Sequence, residues 1–452
     1  MPVLVVIVPI ALLFLVALVR RIPLIGGDIR AALLIAGVAA ALIGGVGPGE
    51  FALGVVDGVD KLAWVMTLSL FGAIYAESQV RLGTMTAVLD TLRSLFGGSP
   101  KGLIAAIFIT LTLAGSLLGD AIAAATVIGF LVITALAELK VKPEQIAMMI
   151  MVGASIGSIM PPIAQAVFLS ASLVGTDPGP VVLIAYITVT IALVLAVLES
   201  FRFVKGRTLP PELRPSEPLG TMLGRTWPVF GPLAVLIAIV ILNSGFGLNV
   251  FTAVPGLGGL VATLGTVPVV KGLVHVVVLA IIVSTLVTLC YPRARRQAGS
   301  IVATGLGNVR QTLLIQLCAG FMVGMFYASG AVDQVSAAAE GLDSQAVAFG
   351  GFIGLAVLGM LTGSQTTAQT VVIPFAAPIL LASAADPVNV ALGASHIASG
   401  AQNLPPVGLT AFVVCGLVGA TLKTKVDPVK TMLLALPNSL YFMLVGLVFW
   451  LL

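Results

Sequence analysis

The sequence predicts an all-α polytopic membrane protein made of two inverted repeats of five spans, each with a re-entrant hairpin and a broken helix. Three observations support this. Apolar residues make up 59% of the 452-residue chain, charged residues make up only 9%, and the mean hydropathy is +1.17. Ordinary soluble domains carry roughly 25% charged residues. Two double prolines interrupt apolar stretches, and the motifs of the first half recur in the second.

Each double proline lies in the middle of an apolar stretch. Pro161-Pro162 follows Gly153-Ala-Ser-Ile-Gly-Ser-Ile-Met, and Pro405-Pro406 follows Ala398-Ser-Gly-Ala-Gln-Asn-Leu. Proline removes a backbone donor and clashes with the preceding turn, so each helix must break there. Broken backbone is tolerated at membrane depth only where it lines a cavity or is buried in protein. Two such breaks at corresponding positions of two halves are typical of the binding site of a secondary transporter.

The motifs of the first half recur in the same order 244 to 252 residues later. The pairs are Gly72–Ala76 with Gly324–Ala328, Gly115-Ser116 with Gly363-Ser364, Lys142-Pro143 with Asp386-Pro387, and Pro161-Pro162 with Pro405-Pro406. Each pair alone is weak evidence, but four in one order indicate an internal repeat. The polar connection Arg202–Arg225 is interpreted as a linker, so the repeats are predicted at 1–225 and 226–452.

Both halves predict the same series of elements. The first half predicts helices near 2–19, 31–46 and 62–78, an interrupted stretch at 102–137, a broken helix at 144–175 and a closing helix at 180–199. The second predicts helices near 227–242, 272–290 and 311–328, an interrupted stretch at 346–384, a broken helix at 387–420 and a closing helix at 430–452. Residues 250–268 predict an exposed loop or interfacial segment. Each arm of the interrupted stretches has about 12–16 residues, below the roughly 20 of a full span, which favours re-entrant hairpins.

The distribution of positive charge predicts the orientation. If each hairpin enters and leaves on one face, each half crosses five times and the halves are inverted. This arrangement places 20 of the 22 basic residues on one face, with Lys61 and Lys271 opposite. Positively charged loops stay in the cytoplasm. We therefore expect a multi-pass protein of the cell (inner) membrane, embedded in the lipid bilayer, with both termini extracytoplasmic. The net charge of +4 follows from this distribution and indicates no nucleic-acid partner.

Four interruptions are expected to meet near the bilayer midplane. They are the tips Gly115–Asp120 and Gly363–Thr367 and the breaks Gly153–Pro162 and Ala398–Pro406. Half-helix N-termini attract anions. Half-helix C-termini and unwound carbonyls attract small cations such as Na⁺. The polar candidates are Ser116, Asp120, Thr126, Ser155, Ser158, Gln165, Ser364, Gln365, Thr366, Thr367, Gln369, Ser399, Gln402, Asn403 and Thr410.

Ionisable residues are sparse in these segments. No Arg or Lys lies within them, so a carboxylate would be held by helix dipoles and neutral donors. Asp120 is the only acid that the predicted elements place in the apolar core, and an intramembrane carboxylate is by default functional. It could coordinate a cation, carry a proton, or cap the second arm of the hairpin. His396 is expected to form an interhelical hydrogen bond. The three cysteines show no metal or disulfide spacing.

These motifs resemble the large membrane subunit of TRAP transporters and, more broadly, the ion transporter superfamily that includes the divalent anion/sodium symporters. The resemblance rests on Gly115-Ser116, on Met160-Pro161-Pro162, and on Asn403-Leu-Pro-Pro-Val-Gly-Leu-Thr-Ala-Phe-Val-Val, and it covers nearly the whole chain. It implies an elevator-type transporter in which hairpins and broken helices slide against a scaffold. It also implies Na⁺ coupling, small organic-anion substrates that are often carboxylates, a small membrane subunit and an extracytoplasmic binding protein.

Carried over by position, the resemblance implies two sodium sites. Their residues are Gly115, Ser116, Gly153, Ser155 and Ser158 in the first half, and Gly363, Ser364, Thr367, Ala398, Ser399 and Asn403 in the second. With the polar candidates, it predicts substrate contacts from Ser116, Asp120, Pro162, Gln165, Ser364, Thr366, Asn403, Pro406 and Thr410. No cofactor besides the coupling ion is expected. The first tip, Gly-Ser-Leu-Leu-Gly-Asp, departs from the small Ser/Ala/Thr-rich tips of the family, and the Ser-Asn-Thr signature of the symporters is absent.

Other functions are compatible with the sequence. A cation/proton antiporter would use Asp120 as the proton carrier. A TRAP permease subunit would be inactive without its small subunit and binding protein, whereas a protein that works alone could form a homodimer. A passive channel would give no concentrative uptake. An enzyme is not expected, because the core segments contain no convincing Ser–His, Ser–Lys or acid-pair arrangement.

Overall fold

The computed structural model describes residues 4–19, 21–96, 98–214, 217–254, 256–339, 344–383 and 385–452. The described residues form helices and connecting turns, with no strand among them. Several positions used in the sequence predictions lie outside the described residues, namely positions 2 and 3 of the first predicted helix, Arg20, Pro215 in the linker, position 255, and position 384 at the end of the second interrupted stretch.

Before the linker, the described residues of the first half form nine α-helices. They are α1 Leu4–Leu18, α2 Ile29–Ile43, α3 Pro48–Leu82, α4 Thr84–Phe96, α5 Pro100–Leu118, α6 Ala121–Glu138, α7 Pro143–Ile159, α8 Gln165–Val174 and α9 Pro178–Ser200. Short 3₁₀ helices at Phe201–Val204 and Pro211–Leu213, with α10 Leu219–Thr226, form the linker among its described residues. The hairpin α5–α6, the broken helix α7–α8 and the closing helix α9 follow the predicted order.

The second half has the same order of elements. A 3₁₀ helix at Trp227–Phe230 precedes α11 Gly231–Phe246, α12 Val250–Ala253 and α13 Leu257–Gly265, and another at Val270–Val274 precedes α14 Val276–Leu289. The following helices are α15 Pro292–Arg295, α16 Ala298–Ala328, α17 Ala331–Ala339, α18 Ser344–Thr362, α19 Gln365–Ala382, α20 Pro387–Ala401, α21 Leu409–Leu422, α22 Pro428–Leu434 and α23 Leu436–Leu451. The region predicted as a loop, 250–268, contains the two short helices α12 and α13.

Two predicted helices were too short. The helix predicted at 62–78 is α3, which begins at Pro48, and the helix predicted at 311–328 is α16, which begins at Ala298. The added turns carry polar side chains such as Glu50 and Asp57 in α3, which lower local hydropathy without ending the helix. Each helix therefore begins before its apolar run. In α3 the start coincides with Pro48, a residue that favours the first turn of a helix.

The hairpin arms are longer than predicted. They have 19 and 18 residues in α5 and α6, and 19 and 18 residues in α18 and α19, so the expected length of about 12–16 was wrong. These four helices are among the seven described helices that are long and apolar enough to cross a membrane. The number rises to eight if α22 and α23, bent by 55°, form one span. Arm length therefore gives no support to the hairpin interpretation, which depends instead on where the tips lie.

The two longest helices, α3 and α16, cross through glycines. A Cβ on Gly58 would lie 2.0 Å from the carbonyl oxygen of Gly320, and a Cβ on Gly324 would lie 1.9 Å from that of Gly54. Small residues let helix backbones approach closely in lipid. With α1, α2, α11 and α14, this pair forms one side of the molecule, which we call the scaffold set.

The hairpins and broken helices pack together on the other side. The arm α5 packs on α7, α18 and α19 pack on α20, and the two broken helices meet through α8 and α20. The closing helices join this set, since α9 contacts α7 and α8, and α23 packs along α20. His396 Nε2 lies 2.8 Å from Thr188 Oγ1, which confirms the expected interhelical hydrogen bond. We call α5–α9 and α18–α23 the hairpin set.

Candidate functional site

Both hairpin tips have the same construction. Gly119 and Gly363 end the first arms with φ of +65° and +62°, a backbone conformation that favours glycine. The next residue caps the second arm in each case. The Asp120 carboxylate accepts from the backbone N–H of Ala123 at 2.8 Å, and Ser364 Oγ accepts from that of Thr367 at 3.3 Å. The equivalent of Gly363-Ser364 is therefore Gly119-Asp120, 244 residues earlier, and the predicted pairing with Gly115-Ser116 was wrong.

The same offset of 244 residues relates the contacts between tips and breaks. A Cβ on Gly115 would lie 2.7 Å from Gly157 Cα, and a Cβ on Gly359 would lie 2.5 Å from Ala401 Cβ. Each first arm therefore packs against the first half of its broken helix one turn before the tip. A substituent on Gly119 or Gly363 would in turn meet Gln165 or the carbonyl oxygen of Val407, which lie in or beside the breaks. The tips thus lie level with the breaks, as expected for re-entrant hairpins.

A cavity of about 1020 Å³ lies between the scaffold set and the hairpin set. Its walls include both tips, the start of α8 and the start of α21 on one side, and α3 and α16 on the other. At one end it reaches Ala17, Gly27 and Ile29, where α1 turns into α2. A smaller adjoining cavity of about 100 Å³ lies directly between the two tips.

Nine predicted polar residues line these two cavities. They are Asp120, Thr126, Gln165, Ser364, Gln365, Thr366, Thr367, Gln402 and Thr410. The N-termini of α6, α8, α19 and α21 end at this space, so backbone N–H groups face it. Lys, Arg and His are absent from the described lining residues of both cavities. Such a wall can receive an anion through helix N-termini.

Sequence reasoning missed the scaffold side of the cavity. Asn308, Gln311 and Thr312 on α16 line it, as does Ser69 on α3. Ser69 Oγ accepts hydrogen bonds from Gln316 at 3.1 Å and from Gln165 at 3.4 Å, so it joins α16 and α8. The spacing of positions 308, 311, 312 and 315 is that of one helix face, a signal in the sequence that could have identified this polar stripe.

Glu77 also lines the cavity, so Asp120 is not the only acid there. The Glu77 carboxylate pairs with Arg81 at 2.6 Å, on the next turn of α3. Asp120 is exposed and forms no ion pair with a described residue. Its identified partner is the backbone of α6, so the structure gives it the capping geometry that was one of the three predicted roles.

The first predicted sodium site consists of helix C-termini. The last turns of α5 and α7 pack against each other at Gly115 and Gly157. Ser116 Oγ is buried there with no hydrogen-bond partner among the described residues, a rare state for a polar atom. Ser155 is buried nearby on α7, and Gly153 accepts a hydrogen bond from Thr112 Oγ1 at 3.3 Å. An unpaired hydroxyl beside two helix C-termini fits a small hard cation.

The second predicted sodium site has a different donor set. The equivalent of Ser116 in the second half is Met360, 244 residues on, which offers no hydroxyl. Ser399 on α20 is buried, and its hydroxyl donates to Gln365 Oε1 at 2.6 Å. Ala398 lies in the last turn of α20, where the Ala398 carbonyl oxygen accepts from the Gln402 N–H at 3.1 Å. The polar groups fit a cation here too, through hydroxyl and carbonyl oxygens.

Hydrogen bonds join the two repeats at the level of the breaks. Ser155 Oγ donates to Asn403 Oδ1 at 3.1 Å, and Gln365 Nε2 donates to Ser158 Oγ at 3.1 Å. All four side chains are buried. The two predicted sodium sites are therefore in contact through side chains that belong to different repeats.

Four predicted substrate contacts lie away from the cavity lining. Ser116 and Asn403 are buried behind it, and Pro406 is exposed but is not among the described lining residues. Pro162 lines a separate cavity of about 350 Å³ with Phe168, Asn243 and His275. His275 stacks on Trp64 with ring centroids 4.7 Å apart. The break at Pro161-Pro162 therefore separates two spaces, one on each side of α8.

Comparisons with known proteins agree with this architecture. The profile of the family described as tripartite ATP-independent periplasmic transporter, DctM component, matches residues 4–452. A search of curated proteins finds no match. Among the matching solved structures is the YdaH transporter of Alcanivorax borkumensis, with 15% sequence identity, a TM-score of 0.59, and coverage of 99% of this chain and 95% of that chain. At this identity the likeness supports the fold alone.

The family match confirms the resemblance to the large membrane subunit of TRAP transporters, and it covers both repeats, both tips and both breaks. This chain therefore belongs to the family of the DctM component of tripartite ATP-independent periplasmic transporters.

Proposed function

We propose that this protein moves a small organic anion, in most cases a carboxylate, across the inner membrane, driven by a sodium gradient. The observation that supports this most directly is the convergence of four half-helix N-termini on one cavity between two helix sets, with half-helix C-termini packed behind it. Half-helix N-termini attract an anionic group, and half-helix C-termini attract a cation. One geometry therefore supplies both sites.

The anion would bind between the tips. Ser364, Thr366 and Thr410 offer hydroxyls there, and Gln165 offers an amide. Because basic side chains are absent from the described lining residues, the substrate charge would be balanced by helix N-termini and by bound Na⁺. This arrangement favours a substrate with one carboxylate over a highly charged one.

Sodium would bind behind the substrate. In the first half, Ser116 and Ser155 with carbonyls from the ends of α5 and α7 would hold one ion, beside Gly115, Gly153 and Ser158. In the second half, the ends of α18 and α20 with Ser399 and Asn403 would hold another, beside Gly363, Ser364, Thr367 and Ala398. The unpaired Ser116 hydroxyl is the main support for the first site.

Transport would follow an elevator movement of the hairpin set against the scaffold set. By the distribution of basic residues, the turn between α1 and α2 would lie in the cytoplasm. The large cavity extends to this turn, so the structure would be an inward-open state with both termini outside. A tripartite system also contains a small membrane subunit and an extracytoplasmic binding protein, and we propose that this chain requires both. A homodimer that works alone is the alternative.

A cation/proton antiporter is a second candidate, because Asp120 faces the cavity without an ionic partner among the described residues. Its carboxylate caps α6, which favours a structural role. The sodium-driven transporter and the antiporter differ in their driving ion. Transport by the Asp120→Asn variant distinguishes them, because only the antiporter needs an ionisable side chain at this position.

Reconstituted vesicles test the proposed function. The protein would be purified with its small subunit, supplied with binding protein, and given a panel of radiolabelled carboxylates. We expect concentrative uptake under an inward sodium gradient and none when potassium replaces sodium. Uptake that follows a proton gradient and ignores sodium would favour the antiporter, and equilibration without concentration would indicate a channel.

A further inference from the structure

Gln365 lies between the two repeats and forms hydrogen bonds to both. It is the first residue of α19, directly after the second hairpin tip, and its side chain is buried. Its Nε2 group donates to Ser158 of the first repeat at 3.1 Å. Its Oε1 atom accepts from Ser399 at 2.6 Å and from Gln402 at 3.2 Å, both in the second repeat. One amide therefore contacts hydroxyls that belong to both proposed sodium sites.

These hydrogen bonds orient the hydroxyls. The proton of Ser399 is directed to Gln365, which leaves the oxygen lone pairs of Ser399 free for a cation. Ser158 Oγ donates to the Ser155 carbonyl at 2.8 Å and accepts from Gln365. An ion that drew the Ser155 carbonyl would weaken the first bond, and the Ser158 hydroxyl could then turn toward another acceptor. The hydrogen bond from Gln365 Nε2 to the Ser158 hydroxyl would then change its geometry.

The first repeat has no counterpart of this link. The residue 244 positions before Gln365 is Ala121, which forms no side-chain hydrogen bond, and the residue 244 positions before Asn403 is Ile159. At the level of the breaks, both polar links between the repeats thus join an amide side chain of the second repeat to a serine of the first. Sequence symmetry alone does not explain why this position carries a glutamine.

We propose that Gln365 couples the two sodium sites, so that occupancy of one raises the affinity of the other. The inference rests on the proposed sodium function and adds a named residue that transmits the effect. Gln365 is a positioning residue here, because it bonds the ligand Ser399 directly, reaches the Ser155 carbonyl through Ser158, and holds no ion itself. Coupling between sites is a free energy, typically worth a 5- to 150-fold change in affinity.

The test is sodium-dependent thermal stabilisation of the purified full chain, with potassium at constant ionic strength as the reference. For the natural sequence we expect a sigmoidal dependence with a Hill coefficient of about 2, the value for two strongly coupled sites. The Gln365→Met variant keeps the side-chain size but removes the amide. We expect its Hill coefficient to fall to about 1 and its half-saturating sodium concentration to rise roughly fivefold or more.

The matched control is Gln79→Met. Gln79 on α3 is fully buried, and its Nε2 group donates to Thr288 Oγ1 of the second repeat at 2.9 Å, so the substitution removes a buried link between the repeats that touches no proposed sodium ligand. The same substitution there should leave the Hill coefficient unchanged. Ser158→Ala removes the other end of the link, and combining it with Gln365→Met should lower the coefficient no further.

The outcomes separate the two proposals. A natural protein that sodium does not stabilise would overturn the sodium function and, with it, this inference. If sodium stabilised the natural protein with a Hill coefficient of 1, the coupling alone would be overturned. The same conclusion would follow if the Gln365→Met variant still bound sodium cooperatively. Should Gln365→Met not fold, Ser158→Ala decides by the same criterion, since it breaks the link from the first repeat.

Discussion

At the residue scale, the most informative atom is the hydroxyl of Ser116. It is buried beside two helix C-termini and has no hydrogen-bond partner in the part of the chain that the structure describes. Leaving a buried polar group unpaired costs roughly 1–3 kcal/mol, so a bound cation would relieve that cost. We predict that Ser116→Ala lowers sodium affinity about tenfold, equivalent to about 1.4 kcal/mol. In sodium-free buffer the variant should be as stable as the natural protein or more so. Thermal unfolding with and without sodium measures both effects.

The control for Ser116→Ala is Thr110→Val on the same helix. Thr110 is also buried, but its hydroxyl donates to the Ala106 carbonyl at 2.7 Å. Thr110→Val should leave sodium affinity unchanged. If Ser116→Ala lost stability in sodium-free buffer and kept its sodium affinity, the hydroxyl would be serving the fold and the proposed ion site would be wrong.

Asp120 gives a second prediction at this scale. Asn caps helix N-termini about as well as Asp, whereas Ala costs about 1 kcal/mol. If Asp120 caps α6, Asp120→Asn should keep sodium-driven uptake within about tenfold of the natural rate, because the cap is retained. Asp120→Ala should lower the thermal stability. Uptake assays in vesicles and unfolding curves check the two variants, and complete loss of uptake in a well-folded Asp120→Asn protein would favour proton transport.

The identity of the site residues could be predicted in part. Asp120, Gln165 and Ser364 follow from the positions of helix breaks, because glycine and proline signal those breaks locally. The bonds of Gln365 to Ser158 and of Ser155 to Asn403 could not be predicted, because they join residues over 200 positions apart. The spacing along one helix gives no information about which residue of the other repeat it meets.

At the scale of elements, the crossing of α3 and α16 depends on glycine. A Cβ on Gly58 would lie 2.0 Å from the Gly320 carbonyl oxygen, so even alanine requires a backbone shift. Gly49 lies in the same helix, and a Cβ there would meet nothing within 4 Å. We predict that alanine has opposite effects on stability at these two glycines. Gly58→Ala should destabilise the protein by about 1–3 kcal/mol through overpacking. Gly49→Ala should be neutral or stabilising by up to about 1 kcal/mol.

Unfolding of the two alanine variants in detergent, compared with the natural protein, measures this difference. Equal stability of Gly58→Ala and Gly49→Ala would show that the helices do not cross at this point.

Element boundaries show where sequence patterns are informative. The second tip and both breaks lie at the predicted glycine and double prolines, whereas the first tip lies at Gly119-Asp120, one turn after Gly115-Ser116. The starts of α3 and α16 were missed because their first turns are mixed in polarity, and hydropathy gives no boundary there. The arm lengths were underestimated because the polar tip residues reduced the apolar run, although Ser116 and Thr362 are helical.

At the scale of the whole molecule, the two repeats have the same elements but contact the scaffold differently. The exit half of the first broken helix, α8, packs along α3. Phe168 meets Trp64 edge-on at 5.3 Å between ring centroids, and Ser172 Oγ donates to the Lys61 carbonyl. In the second repeat, the large cavity lies between the start of α21 and α16. In an elevator movement, α8 would separate from α3 while α21 would pack against α16.

The offsets between the repeats predict the contacts of the other state. The counterpart of Lys61 lies 252 residues on, at Leu313 of α16, and that of Ser172 lies 244 residues on, at Gly416 of α21. In an outward-open state these two positions should approach each other as Lys61 and Ser172 do in the present structure. At the same time Lys61 and Ser172 should separate.

Disulfide cross-linking of these two pairs tests the central claim, that inverted repeats exchange roles around one site. Cysteines at positions 61 and 172, or at 313 and 416, would be placed in a background without Cys290, Cys318 and Cys415. We predict that both pairs cross-link in the membrane, and that sodium with substrate changes their yields in opposite directions. A 61–172 pair that always cross-links, together with a 313–416 pair that never does under any ion condition, would contradict the account.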